Sequence, residues 1–157
     1  MVFIYEQKEI EMPGGLDDLA KRLRGHRDTI SVNLNKKTRS VALAIDTLIV
    51  KAMPVDTGRA RSSVVVTVGE ASFSETTQAY VPGTKGSTAG ANMQAAIDQA
   101  ESALKDRQLG EEIHININIP YIDDLNRGHS PQASPGFIQQ AIADGVSTES
   151  GVSVLEK

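Results

Sequence analysis

Ile113-His114-Ile115-Asn116-Ile117-Asn118-Ile119 places an isoleucine at every second position and a polar residue between each pair. Side chains along a strand point alternately to its two faces, so this pattern makes one face apolar and the other polar. Residues 112–119 are therefore read as a half-buried β-strand. A partner is at hand in Ser63-Val64-Val65-Val66-Thr67-Val68, which Gly69 stops. Its β-branched side chains suit a pleated surface. Between the two strands, residues 70–90 are small and polar, with Pro82-Gly83 and Gly86. They read as a long flexible surface loop, a length that is uncommon inside a domain and often functional.

Outward from the strands the period changes to that of helices. Met93, Ala96, Ile97, Ala100 and Leu104 make one stripe, predicting a helix over 91–107. On the N-terminal side, Leu16, Leu19, Ala20 and Leu23 recur at helical steps, with Asp17 and Asp18 in the first turn, where the helix dipole favours acids. Gly25 is read as an interruption, after which Asp28 or Thr29 would cap a second segment. That segment carries Ile30, Leu34, Val41, Ile45, Leu48, Ile49 and Ala52. Pro54 ends it, because the residue before a proline is pushed out of the α region.

Past the second strand, Ser134-Pro135 reads as a helix start, Ser as N-cap and Pro at the first helical position. Phe137, Ile138, Ala141 and Ile142 would form its stripe and Gly145 its end. Val2-Phe3-Ile4-Tyr5 is a β-prone run within an N-terminal arm, residues 1–14, and residues 147–157 are a polar tail. The expectation is a single α+β domain over 1–157: a long N-terminal helix, a small, mostly antiparallel sheet and two shorter helices. There is no internal repeat.

The composition narrows the chemistry. The chain has 157 residues, no Cys, no Trp, three Tyr and three Phe. No disulfide framework, thiol nucleophile or cysteine-based zinc site is available. Large aromatics are scarce, so the core must be aliphatic. No apolar run reaches the roughly 18 residues of a membrane span. Residues 1–12 carry Glu6, Glu9 and Glu11 where a signal peptide would be basic and then apolar. The expectation is a soluble protein with no membrane partner.

The net charge of −4 is unevenly distributed. Residues 1–20 sum to −4, residues 21–61 to +7 and residues 62–157 to −7. A basic block followed by an acidic remainder suits a subunit that meets copies of itself, positive side to negative side. It also suits contact with nucleic acid through residues 21–39. Lys21-Arg22-Leu23-Arg24-Gly25-His26-Arg27 has no interleaved aromatics, however, so no stacking platform is present.

Asp56-Thr57-Gly58 is the triplet that carries the catalytic carboxylate of aspartic proteases, where two such groups share a proton. One copy per chain would serve in a homodimer. Here Pro54 precedes the triplet and Arg59 follows it, and a nearby guanidinium holds an aspartate ionised. The structural alternative is a turn in which Asp56 accepts from backbone amides and Gly58 supplies a permissive angle. Gly83-Thr84-Lys85-Gly86-Ser87-Thr88 has the residues of a phosphate loop without its spacing. His26, His114 and His129 are far apart in sequence, and His129 near Asp123 and Asp124 is the one conceivable metal pairing. A hydrogen-bonded surface histidine explains it equally. No cofactor is expected, and no Ser-His-Asp arrangement stands out.

Two segments together resemble a known family. Met53-Pro54-Val55-Asp56-Thr57-Gly58-Arg59-Ala60-Arg61-Ser62-Ser63, between a helix and a strand, resembles the Pro-x-Asp-Thr-Gly signature of minor tail or neck proteins of tailed bacteriophages. Pro120-Tyr121-Ile122-Asp123-Asp124-Leu125-Asn126-Arg127-Gly128-His129-Ser130, followed by Gln132-Ala133-Ser134-Pro135-Gly136-Phe137, is similar to their second signature. Ile122 stands where that signature has a small residue, and Ser134 where it has proline. The likeness spans about residues 41–146.

The resemblance implies a structural role without a reaction: a tail-completion or head–tail joining protein of the virion, assembled in the host cytoplasm. It implies a ring of identical subunits, taken as a hexamer, between connector or portal-side proteins and tail-tube or tail-terminator proteins. DNA would pass through as cargo. The 70–90 loop would order against a neighbour. Asp56, Thr57, Gly58, Arg59 and Arg61 would then fix the turn after the long helix. Tyr121, Asn126, Gly128 and His129 would fix the turn before the last helix, or meet a neighbour. The rival readings are a dimeric protease built on Asp56 and a nucleic-acid-binding module built on residues 21–39.

Overall fold

The computed structural model describes residues 14–150. In chain order the elements are α1 (Gly15–Ala52), α2 (Arg59–Ser62), β1 (Val64–Val68), α3 (Ala89–Lys105), β2 (Ile113–Ile117), α4 (Ile122–Asn126) and α5 (Phe137–Glu149). The α+β expectation holds: a long helix, a two-stranded antiparallel sheet and shorter helices. The β-prone run at Val2–Tyr5 lies outside the described residues, as do residues 151–157 of the tail.

α1 is one uninterrupted helix of 38 residues. Gly25 does not break it, because an exposed glycine costs a helix only about 1 kcal/mol relative to alanine. Neither candidate cap is used as one: Thr29 donates its hydroxyl back to the Gly25 carbonyl, 3.0 Å, and Asp28 accepts from Arg27. The segment between α1 and β1, expected to be a turn, also contains a helical turn, α2. Ser63, expected to open the strand, instead closes α2 by donating to the Ala60 carbonyl at 2.7 Å. Another short helix, α4, forms where a plain turn was expected.

α5 also departs from the expected boundaries. It starts at Phe137 after Gly136, so Ser134 is not its cap. It runs on to Glu149 rather than closing at Gly145, and so takes in the first residues of the expected polar tail. Gly145 is buried on Ile45 of α1, where a Cβ would stand 2.6 Å from Ile45 Cγ1. The glycine is a point of close helix–helix approach. At the far end of α5, Ser40 donates to Glu149 at 2.7 Å.

β1 and β2 pair with Val64 opposite Ile117, Val66 opposite Ile115 and Val68 opposite Ile113. The isoleucines of β2 pack into the core. Its polar face is occupied too. Asn116 donates to the Val65 carbonyl, and Asn118 donates to the Ser72 and Ser74 carbonyls at 2.7 and 2.9 Å. On the other edge of β1, Gln99 of α3 accepts from Val66 N–H at 2.9 Å and donates to Val66 C=O at 2.6 Å. One side chain thus satisfies both backbone groups that this edge strand would leave open at Val66.

The core has two joined parts. Ile49, Val50, Met53, Val64, Ala96, Ile119, Phe137 and Ala141 form the larger, and Ala42, Val66, Ala100 and Leu104 the smaller. Each buried Val, Leu or Ile contributes on the order of 1.5–3 kcal/mol. On the same face of α1, between Ala42 and Ile49, lies Asp46. It is 0 % exposed, and neither carboxylate oxygen has a hydrogen-bond partner. Burial pushes its pKa up to about 7.

Candidate functional site

Antiparallel pairing puts the chain entering β1 and the chain leaving β2 at one end of the sheet, since Val64 faces Ile117. The two signature segments sit at that end. They line one cleft of about 390 Å³, with Val55, Asp56, Thr57, Gly58 and Ala60 on one wall and Tyr121, Leu125, His129, Ser130 and Gln132 on the other. Val55 N–H donates across it to Gln132 Oε1 at 3.0 Å.

The first wall is a turn strapped to the loop in front of α3. Asp56 Oδ1 accepts from Lys85 N–H at 3.2 Å, and Asp56 C=O accepts from Gly86 N–H at 2.8 Å. Thr57 C=O accepts from Gly83 N–H at 3.1 Å, and Thr57 Oγ1 accepts from Arg59 N–H at 3.4 Å. The phosphate-loop look-alike at 83–88 is thus the strap for the Asp-Thr-Gly turn. Asp56 and Thr57 are exposed, while Gly58 is buried at a φ of 83°.

Asn92 was not singled out in the sequence, yet it closes this wall. It is fully buried in α3, accepts from Val81 N–H and donates to Val81 C=O, both at 2.8 Å. Its amide also lies against Gly58, where a side chain would collide with it. A buried polar residue inside an otherwise apolar helical stripe is the only signal the sequence offers for it.

Arg61 acts as a cap. Its guanidinium donates to the Lys51 and Met53 carbonyls at the end of α1, at 3.2 and 3.3 Å, and to the Ala89 carbonyl opening α3, at 3.4 Å. A cation is favoured at a helix C-terminus. Its Nε is buried without a partner, and desolvation holds its pKa below the usual arginine value. Arg59 points elsewhere, into an ion pair with Glu75 at the surface. The half-buried Tyr121 has its hydroxyl pKa raised by burial, with the Arg59 charge acting the other way and Tyr80 and Glu75 adding to the rise. Arg59 therefore links the two walls electrostatically.

On the second wall Asn126 is the cap that Ser134 does not provide. Its Oδ1 accepts from Ile138 N–H at 3.2 Å, its C=O accepts from Gly136 N–H at 2.7 Å, and its Nδ2 donates to Gln139 Oε1 at 3.0 Å. Gly128 lies against the Pro135 ring, 2.6 Å from where a Cβ would stand. His129 donates from Nδ1 and from its backbone N–H to the Asp124 carbonyl, each at 3.1 Å. Its ring is also 3.9 Å from the Asp124 carboxylate. Among the described residues no group of three or more His, Asp or Glu is placed to hold a metal, and no helix is long and apolar enough to cross a membrane.

The named residues thus converge on one junction, and most of their polar atoms hold backbone. Asp56 fixes Lys85, Arg61 fixes two helix ends, Asn126 fixes α5 and His129 fixes α4. No family model, curated protein or solved structure matches the chain.

Proposed function

We propose that the chain is a structural subunit of a tailed-bacteriophage neck, a tail-completion or head–tail joining protein that builds a ring. Its neighbours would be connector or portal-side proteins above and tail-tube or tail-terminator proteins below. DNA would pass through the ring during ejection.

One observation carries the reading. The two segments that resemble the neck-protein signatures are more than fifty residues apart in sequence, yet they form facing walls of one cleft and are joined by the Val55–Gln132 hydrogen bond. Their polar groups are engaged in holding turns and helix ends, which suits a part that must keep its shape under load. The split of charge between a basic block and an acidic remainder suits subunits that interlock. A channel for DNA should not grip phosphates, so the basic residues Arg22, Arg24 and Arg27 belong at subunit contacts rather than in the lumen.

The test is immunogold labelling of purified virions of the phage that encodes the chain, together with a nonsense mutation in its gene. Label at the head–tail junction, and separate heads and tails in the mutant lysate, are the expected results. A protein missing from virions, or a mutant yielding intact infectious particles, would overturn the reading.

A further inference from the structure

The two-stranded sheet has two outer edges, and only that of β1 is covered. Gly69 N–H donates to Glu112 C=O at 2.9 Å, and Gln99 takes both backbone groups of Val66 from the opposite side. In this register Val65 and Thr67 exchange bonds with Asn116 and His114. The N–H and C=O groups of Ile113, Ile115 and Ile117 therefore turn away from β1, along the outer edge of β2. Nothing among the described residues is hydrogen-bonded to them. α5 packs on α1 rather than along β2.

The side chains lack cover at the same place. Val64 and Val66 are 0 % exposed, whereas their partners Ile117 and Ile115 are half-buried, as is Ile113. Folded proteins blunt an open edge with lysine, proline or a bulge, or they cover it. Ile113-His114-Ile115-Asn116-Ile117 has none of these devices, and its pairing with β1 is continuous. An added strand would take up the backbone groups and cover the isoleucines together.

The chain carries a segment suited to that edge. Val2-Phe3-Ile4-Tyr5 is β-prone and apolar at every position, so either face of it can cover the isoleucines. Chain length decides which copy it serves. Ile113 packs on the part of the core that α1 supplies with Ala42 and Leu43. That is about 40 Å along α1 from Gly15, at 1.5 Å per residue. To lie along β2, the run must bring Tyr5 to Ile113. The ten residues from Tyr5 to Gly15 span at most about 36 Å even when fully extended. The arm falls short of its own subunit's edge, so the edge within its reach is a neighbour's.

We propose that Val2–Tyr5 of one copy adds as a third strand to the outer edge of β2 of a second copy. Each copy gives one arm and takes one, so the contact is head-to-tail and closes as a ring, the smallest being a reciprocal pair. The assignment rests on the self-assembly part of the neck reading and names the contact. Virion label at the junction without arm exchange fails this assignment alone; arm exchange in a protein absent from virions fails the neck reading alone.

The experiment measures the mass of the full chain in solution by light scattering over a concentration series. Wild type is expected to associate. An arm variant, Ile4→Pro, and an edge variant, Ile115→Pro, should each weaken association by about tenfold or more. A proline at 115 removes an outward N–H and leaves the β1–β2 bonds in place. If urea unfolding shows that this variant does not fold, Ile113→Lys at the end of the strand serves as the edge variant. Mixed one to one, the arm and edge variants should form a dimer and nothing larger, because one intact arm and one intact edge remain. The chain has no cysteine, so introduced thiols read the pairing directly. Phe3→Cys or Ile4→Cys, combined with Ile115→Cys, should link chain to chain on oxidation.

A wild type that stays monomeric at every concentration would overturn the proposal, as would a mixture that never pairs. A disulfide closed within one chain would return the arm to its own subunit. Association that survives Ile4→Pro but is lost on removal of residues 151–157 would give the edge to the C-terminal segment instead.

Discussion

Gly58, in the turn after α1, lies directly against the side-chain amide of Asn92 in α3, with no room for even a methyl group between them. The contact joins the first signature segment to the loop before α3, because the same amide holds both backbone groups of Val81. Gly58→Ala should therefore act twice. It forces an alanine into a left-handed backbone, at roughly 1–2 kcal/mol, and it displaces Asn92 from hydrogen bonds contributing about 1 kcal/mol each. A loss of roughly 2–4 kcal/mol in urea unfolding, with an unchanged slope, is expected. In an Asn92→Ala background the penalty of Gly58→Ala should shrink toward its backbone part. Strict additivity of the two changes would disprove the coupling.

Asp46 makes stability depend on pH. Its folded pKa of about 7 lies above the ordinary aspartate value of 3.8, so between those values the folded state holds a proton that the unfolded state has lost. Stability from this group is full below about pH 4, falls as pH rises and is lost above about 7, a total of roughly 4 kcal/mol at 1.36 kcal/mol per pKa unit. Asp46→Asn, which carries no charge to bury, should flatten that slope and exceed wild type in stability at pH 8. Parallel pH profiles for the two proteins would exclude Asp46 as the source.

Gly145 and Gly90 should respond to alanine with opposite sign. Both are helical, and alanine favours a helix by about 1 kcal/mol over glycine. At Gly90 of α3 no atom lies within 4 Å of a new Cβ, so Gly90→Ala should stabilise by up to that amount. At Gly145 the Cβ would come 2.6 Å from Ile45 Cγ1 and 2.9 Å from its Cα, so α5 must back away from α1. Overpacking of this kind typically costs 1–3 kcal/mol. Thermal melts showing a lower midpoint for Gly145→Ala and a higher one for Gly90→Ala are expected; a gain at both would mean that the two helices are not closely packed there.

Why some features were legible in the sequence and others were not follows from the range over which each is determined. The Ile113–Ile119 alternation is local, and so it marked β2 and the face that packs on the core, although the strand itself is Ile113–Ile117 and is half-buried on both faces. Gly25 and Ser134-Pro135 misled because boundary signals are weak beside long-range partners. The exposed helix tolerates Gly25, and Asn126 supplies the cap of α5 from a residue ten places upstream of Gly136. Asn92 and Gln99 were invisible as organisers because each acts on residues distant in sequence: Asn92 holds the Val81 backbone and packs against Gly58, and Gln99 holds the Val66 backbone. Asp46 was not distinguishable from an exposed acid on a charged helix. The site residues were nameable through the two signatures, but whether each holds the fold or faces a neighbour needed coordinates.

Arg61 puts that last distinction to an experiment. As an interface residue it would affect assembly and leave the subunit's stability alone. Its hydrogen bonds predict the reverse, since it ties the final carbonyls of α1 to the first carbonyl of α3 and so sets the angle at which the Asp-Thr-Gly turn leaves the long helix. Arg61→Ala leaves three carbonyls to find other donors, and hydrogen bonds to a charged group contribute about 1.5–3 kcal/mol each before solvent takes their place. A loss of roughly 2–4 kcal/mol is expected. Arg61→Lys keeps the charge, but an ammonium lacks the planar fork that reaches two helix ends at once, so it should recover less than half of the loss. Chemical denaturation of each variant at a concentration where the wild type is monomeric reads this directly. Full stability in Arg61→Ala, with assembly alone impaired, would return the residue to the interface.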